Sequence, residues 1–164
     1  MVTSLETWSN NVCSSVYDGV NNPAARCSNA LDGNTGTDWV SNGAQDGGPT
    51  ISFQLSSQNA PAVTLLGIMW YTRNTVAACE RITSMRVIID NGNFNTAPTI
   101  TATDASACAA PGWLTAYLPT PLSTRSVWLA PTLNCAGGFT PGSTTTQSPT
   151  CNAGFAEVKF IISA

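Results

Sequence analysis

Hydrophobic and polar residues alternate with a period of two in five short segments of this chain. The hydrophobic positions are Ile51, Phe53 and Leu55; Leu66, Ile68 and Trp70; Met85, Val87 and Ile89; Val127 and Leu129; and Val158, Phe160 and Ile162. Successive side chains of a β-strand point to opposite faces, so this spacing predicts strands that are buried on one side. Turn-forming residues bound each segment, which is typical of an antiparallel sandwich or barrel.

The remaining segments predict no long helix. Ser4–Val16 contains scattered Leu, Trp and Val without an apolar stripe, and Asn10-Asn11 interrupts it. Two long connections stand out. Asn91–Thr99 passes through the turn signal Asp90-Asn91-Gly92, and Ala136–Thr150 is rich in Gly, Ser, Thr and Pro. A loop of the second kind is either a binding loop or a plain insertion.

The composition indicates one ordinary domain over residues 1–164. Hydrophobic residues make up 43% of the chain and charged residues only 9%, which argues against a disordered chain and against a helix bundle with a charged surface. The net charge is −3 and the six basic residues are widely separated, so nucleic acids and anionic membranes are disfavoured as partners. No apolar run approaches the about 20 residues of a membrane span, so we expect no membrane insertion.

Six cysteines occur in a chain without histidine and without any C-x-x-C spacing, which disfavours a zinc site or a thioredoxin-like motif. We expect three disulfides that staple loops, and therefore a secreted or cell-surface protein; buried free thiols in a cytosolic protein are the alternative. Sequence alone does not choose the connectivity. Proximity along the chain favours Cys135–Cys151, then Cys13–Cys27, which leaves Cys79–Cys108.

Catalytic motifs are absent from the sequence. Without histidine the chain lacks the commonest general base and every Ser-His or Cys-His arrangement, and it contains no nucleophile elbow, P-loop or dinucleotide fingerprint. We therefore expect no enzyme. Two facing carboxylates in a cleft would revive a hydrolase.

The segment Asn29–Trp39 carries the sharpest local signal. Its oxygen-bearing side chains surround Gly33, which lets the backbone fold tightly, as a loop that binds calcium must do. An Asx-type turn before a buried Trp39 is the structural alternative. The spacing is not that of an EF-hand.

Six segments of the chain, taken in order, resemble the motifs of a known family. In sequence they are NALDGNTGTDW, ISFQL, VTLLGIMWYTRN, RITSMRVIIDNG, RSVWLAP and AGFAEVKFII. They are similar to the coagulation-factor C-type, or discoidin, domains and to the family 32 carbohydrate-binding modules, with the clearest match over residues 29–162. The resemblance implies an all-β, galactose-binding-like jelly-roll sandwich of about eight antiparallel strands, with the N- and C-terminal segments side by side.

The resemblance also implies a structural calcium ion where the two ends of the chain meet. The matching positions are the carbonyl of Asn29, the carboxylate of Asp32, the carbonyl of Asn34, the carbonyl and hydroxyl of Thr37, the carbonyl of Ala156 and the carboxylate of Glu157. Two carboxylates would neutralise the dication while neutral oxygens complete its shell.

Ligand binding in the family uses loops at one end of the sandwich. Arg73 matches a ligand-contacting arginine and Asn74 follows it, with a solvated surface arginine as the alternative for Arg73. Phe155 is either a stacking ring or a plug of the core. Trp113 follows Pro-Gly and is either an exposed turn ring or a hairpin anchor, and Phe139 lies in the cysteine-flanked loop.

These features predict a noncatalytic, extracellular, lectin-like module whose partner is a glycan or glycoprotein. Galactose-binding members usually carry a histidine after the first tryptophan, and Val40–Pro49 contains none, so galactose specificity is not implied. The alternative is a structural or adhesive domain that contacts other extracellular proteins, which an exposed apolar patch at a strand edge would favour. Phospholipid binding fits this acidic chain poorly.

Overall fold

The computed structural model describes residues 8–14, 26–41, 49–55, 61–73, 82–90, 92–103, 110–132 and 154–163. These residues form nine strands and a 3-10 helix at Cys27–Leu31. The strands are β1 Trp8–Cys13, β2 Trp39–Val40, β3 Ile51–Leu55, β4 Val63–Thr72, β5 Ser84–Ile89, β6 Thr99–Thr101, β7 Trp113–Thr124, β8 Ser126–Thr132 and β9 Gly154–Ile162. Over these ranges, no helix has the length and apolar character that crossing a membrane requires.

The strands form two sheets in which every pairing is antiparallel. One sheet has five strands in the order β1-β3-β8-β5-β6, and the other has four in the order β2-β9-β4-β7. The predicted all-β sandwich is confirmed, and each of the five alternating segments lies in a strand.

The core lies between the sheets and is rich in aromatic rings. Phe160 of β9 stacks on Trp8 at 4.3 Å between centroids and meets Phe53 edge-on at 5.3 Å, so it joins the two sheets. Trp70 is fully buried, and its Nε1 donates to the carbonyl of Ile82 at 2.9 Å. The Trp70 indole therefore keeps its hydrogen bond inside the core.

The hydrophobic pattern did not predict four of the nine described strands. β1 pairs with β3, but its register shifts between Asn10 and Val12, so an extra residue breaks the period-two alternation there. β2 and β6 have two and three residues, too few to show a period. β7 contains Pro119 and Pro121, which are tolerated because β7 is an edge strand of its sheet.

The disulfide Cys13–Cys27 joins the end of β1 to the start of the 3-10 helix, with 5.8 Å between the Cα atoms. This confirms one of the three predicted pairings. Cys79, Cys108, Cys135 and Cys151 lie outside the described residues, so Cys135–Cys151 and Cys79–Cys108 stay predictions. The same holds for the loop at 136–150.

The candidate functional residues lie at one of the two ends of the sandwich. At one end, Asp90 has a φ of 39°, and its Oδ1 accepts hydrogen bonds from the backbone of Arg125 and Ser126, which closes the β7–β8 turn. At the other end β4 stops, β7 and β9 begin, and the 3-10 helix lies beside β9. We call the second end the loop end; all of the described candidate residues lie there or beside it.

Candidate functional site

The loop after the 3-10 helix turns tightly around its own oxygen atoms. Gly33 has a φ of 76°, a conformation that favours glycine. The backbone N–H of Asn34 donates to Asp32 Oδ1 at 2.8 Å, and the Thr37 hydroxyl donates to Asp32 Oδ2 at 2.6 Å. The first of these bonds makes the predicted Asx-type turn, and Trp39 beyond it is buried. This turn is compatible with both interpretations of the segment.

Glu157 of β9 reaches this loop across 124 residues of sequence. Its Oε2 accepts a hydrogen bond from the backbone N–H of Gly33 at 2.8 Å. The residue is 1% exposed, and its Oε1 has no hydrogen-bond partner among the described residues. A buried carboxylate oxygen without a partner is costly, so this arrangement favours a cation beside it.

A β-bulge in β9 points Glu157 away from the core and towards the loop. Tyr71 of β4 faces Glu157, whereas the next residue, Thr72, faces Phe155, so Ala156 is an extra residue between them. In an unbroken strand Phe155 and Glu157 would share one face. The bulge lets Phe155 enter the core while Glu157 turns to the loop, and it leaves Ala156 out of the pairing with β4.

The electrostatic environment of Glu157 opposes its negative charge. Burial raises the pKa of Glu157 to about 7, and the nearby charge of Asp32 adds to this. The hydrogen bond from Gly33 and the positive charge of Lys159 lower the pKa only in part. A divalent cation between the two carboxylates would remove this penalty.

The residues that the resemblance assigns to calcium meet at this place. Asn29 lies in the 3-10 helix, three others lie in the loop, and Ala156 and Glu157 lie on the adjacent strand. Among the described residues no three or more His, Cys, Asp or Glu side chains come together in a way that could hold a metal ion, so a cation here would need neutral oxygens for most of its shell. Two carboxylates with backbone carbonyls and a hydroxyl suit a hard cation such as calcium, and the donor set fits.

Arg73 follows β4 at the same end and is not a solvated surface residue. Its side chain is 11% exposed, and its Nε lies 3.8 Å from Asp38 Oδ2. The ion pair joins the end of β4 to the residue before β2. It orients the guanidinium at the loop end and leaves it a small exposed area.

Gly154 has no side chain, and this leaves room for Arg73 beside β9. A Cβ at position 154 would lie 2.7 Å from Arg73 Cδ and against the carbonyl oxygen of Trp39. We therefore expect Gly154→Ala to destabilise the fold by about 2 kcal/mol, because backbone cannot move aside cheaply. Urea unfolding checks this. Gly112→Ala is the control, since a Cβ there meets nothing within 4 Å. Equal stability of the two variants would contradict the packing argument.

The structure excludes one of the predicted ligand contacts. Phe155 has no exposed area, and its ring centroid lies 5.1 Å from that of Trp39, so the prediction of a sugar-stacking ring is wrong and Phe155 fills the core. A ring without an exposed face cannot contact a ligand. Asn74 and Phe139 lie outside the described residues and stay predictions.

Trp113 is the first residue of β7 and is 36% exposed. The Tyr71 ring meets it nearly perpendicularly at 5.5 Å between centroids, and Lys159 Nζ lies 4.5 Å from its centroid. Trp113 is therefore an anchored ring in a strand, not a ring on a free turn. Sequence analysis missed Lys159, although its place between Val158 and Phe160 already indicates an outward side chain.

Solved structures share this architecture over nearly the whole chain. An F5/8 type C domain from Bacteroides fragilis superposes with a TM-score of 0.65 at 18% identity, covering 97% of this chain and 93% of that one. A family 32 carbohydrate-binding module from Clostridium perfringens, solved with galactose, gives 0.58 at 16% identity, covering 97% and 96%. Another module from Clostridium perfringens, solved with GalNAc-β-1,3-galactose, gives 0.62 at 12% identity, covering 98% and 99%.

No protein-family model and no curated protein matches the sequence. The likeness to the solved structures is at low identity and establishes the architecture of the chain. This protein is therefore a β-sandwich with the fold of the F5/8 type C, or discoidin, domains and the family 32 carbohydrate-binding modules, as its sequence resemblance predicts.

Proposed function

We propose that this chain is a noncatalytic, extracellular carbohydrate-binding module that holds a structural calcium ion. The observation that carries the proposal is the partly exposed, anchored ring of Trp113 beside the loop end. An aromatic face packs well against the C–H face of a sugar ring, and a side chain held in place loses little entropy when it binds.

Arg73 lies close enough to Trp113 to share a ligand with it. The backbone N–H of Thr72 donates to the carbonyl of Gly112 at 3.0 Å, and Gly112 N–H donates back to the Thr72 hydroxyl at 3.0 Å. Trp113 pairs with Tyr71 of β4, and Arg73 lies two residues beyond Tyr71, just after the end of β4. A ring for stacking and an oriented guanidinium for hydroxyl groups form the minimal pair for recognising a sugar.

Support from related folds points the same way. The two Clostridium perfringens modules were solved with galactose and with GalNAc-β-1,3-galactose, and the present chain superposes on both along nearly its full length. We extend glycan binding to this chain as a class, without extending the particular sugar.

Calcium would be held by Asp32 and Glu157 with the neutral oxygens of Asn29, Asn34, Thr37 and Ala156. When bound, the ion supplies positive charge that offsets the two carboxylates. The protein itself positions Glu157 through the bulge and through the Gly33 N–H. The role of the site is therefore to tie the start of β9 to the loop after the 3-10 helix.

The described carboxylates also support a noncatalytic role. Asp32 and Glu157 come close to each other, as a hydrolase would need, but Glu157 is buried and turned to the loop. A carboxylate without access to solvent cannot reach a substrate. The Cys13–Cys27 disulfide supports an oxidising, extracellular location.

The structural or adhesive alternative would use a sheet edge. Exposed Val12 on β1 and exposed Tyr117 on β7 favour it, because both lie on edge strands. The pairing of each of these two strands, however, has a register shift, and β7 also contains Pro119 and Pro121. Bulges and prolines are devices that prevent edge-to-edge pairing, so the glycan-binding proposal is preferred.

A glycan array of the oxidised domain, with calcium and with a chelator, tests the proposal. We expect binding that falls at least about tenfold in Trp113→Ala, the loss of a ring contact worth about 1.4 kcal/mol. Val12→Ala is the matched control, since it also removes an exposed hydrophobic side chain, but from the other sheet. A blank array from a folded, calcium-loaded domain would refute glycan binding and favour the adhesive alternative.

A further inference from the structure

We propose that the outer face of the four-stranded sheet binds an extended glycan chain that carries carboxylate groups, a uronic-acid polymer, through Trp113, Tyr117 and Lys159. We call these three residues the sheet-face site. The inference rests on the proposed glycan binding and adds the charge and the length of the ligand.

Strand register places the three side chains on one face. Ala116 and Leu118 of β7 lie in the core, so Trp113 and Tyr117, at odd-numbered positions of the strand, face outward. Directly opposed residues of neighbouring strands share a face. On β7, β4 and β9 they form one row of Trp113, Tyr71 and Glu157, and a second row of Thr115, Met69 and Lys159.

Two aromatic rings follow each other along the edge of this face. Trp113 and Tyr117 are four residues apart, or about 13 Å at the rise of a β-strand. Tyr117 is 67% exposed, yet its ring packs over Gly67, which faces it on β4. A Cβ at Gly67 would lie 3.1 Å from Tyr117 Cδ1. A single sugar reaches one ring only, whereas a chain along β7 reaches both.

The charge of the face selects an anionic ligand. Lys159 and Glu157 are the only charged residues within the four strands of this sheet. Glu157 is buried against the loop, so Lys159 provides the accessible charge. Its ammonium contacts the Trp113 ring and has no hydrogen bond or salt bridge among the described residues. A ligand that packs on this indole therefore finds N–H donors beside it, and a carboxylate complements them best.

A second copy of the chain is a poorer occupant of this face. In a twofold dimer the face would meet itself, so the two Lys159 ammonium groups would approach each other. The proline-containing bulge of β7 also prevents extension of the sheet past its edge.

The experiment compares polygalacturonate with its methyl ester, because esterification removes the negative charge of the carboxyl groups and keeps the sugar backbone. We expect polygalacturonate to bind more tightly, and Lys159→Gln to weaken its binding by about tenfold or more, as for one charged hydrogen bond. Tyr117→Ala should weaken the polymer several-fold and leave monomeric galacturonate unchanged. Arg125→Gln removes the same charge from an exposed residue at the other end and should change nothing.

Each outcome decides between the proposals, once melting curves show that the variants are folded. Equal binding of the polymer and its ester, or unchanged binding in Lys159→Gln, overturns the sheet-face site. If neutral glycans bind through Trp113 while polygalacturonate does not, the inference fails and the proposed function stands. If neither acidic nor neutral glycans bind, both fail. Dimerisation that depends on Tyr117 and Lys159 would assign the face to a second copy instead.

Discussion

The metal-free domain should lose about 3 kcal/mol of unfolding free energy as the pH rises from about 5 to about 8. Burial raises the pKa of Glu157 to about 7 in the folded protein, whereas the unfolded chain titrates near about 4.3. Between these values the folded state binds more protons than the unfolded state, so stability falls as the pH rises and levels off above the folded pKa. Urea unfolding at several pH values in a chelator measures the slope.

Glu157→Gln is the variant that isolates this effect. It keeps the shape of the side chain and removes the titration, so its stability should depend much less on pH over the same window. Saturating calcium should flatten the wild-type profile, because a bound cation favours the carboxylate and lowers the pKa of Glu157. A wild-type profile that is flat in the chelator would contradict the raised pKa. A Glu157→Gln profile as steep as the wild type would assign the slope to another group.

Removing the Cys13–Cys27 disulfide should cost about 3 kcal/mol of unfolding free energy. The bond joins residues 14 apart and ties β1, an edge strand, to the 3-10 helix that precedes the loop containing Asp32. Without the bond the unfolded chain gains conformational freedom, while the folded contacts change little. Urea unfolding of the Cys13→Ser, Cys27→Ser double variant under oxidising conditions gives the value.

Hydrogen exchange measures how removal of the disulfide affects the end of β1. The backbone N–H of Ser14 donates to the carbonyl of Thr50 at 2.8 Å, next to the disulfide, so its hydrogen exchange should become faster in the double variant. Val12→Ala on the same strand removes only an exposed side chain and should stay within about 0.5 kcal/mol of the wild type. A double variant as stable as Val12→Ala would show that the disulfide does not hold β1.

Local patterns predicted the local parts of this protein. Ile51, Phe53 and Leu55 are spaced two residues apart, which is the period of a strand, and they lie in β3. Asp32 and Gly33 likewise predict a tight, oxygen-lined turn, which the structure contains. Phe155 shows the limit of this reasoning. Its neighbours in sequence do not reveal the bulge at Ala156, because the bulge is defined by the register with Tyr71 and Thr72 of another strand.

The all-β class, five of the strands, the tight loop at Asp32 and, through the order of the motifs, the family whose fold the chain shares can all be predicted from the sequence. Three features become visible only in the folded chain: Glu157 lies buried against Gly33, Phe155 fills the core, and Trp113, Tyr71 and Lys159 form one cluster. The physical reason is that a strand or a turn depends on neighbours a few residues away. These contacts instead depend on the pairing of strands that are distant along the chain, and a shift of one residue in that pairing exchanges the buried and exposed faces.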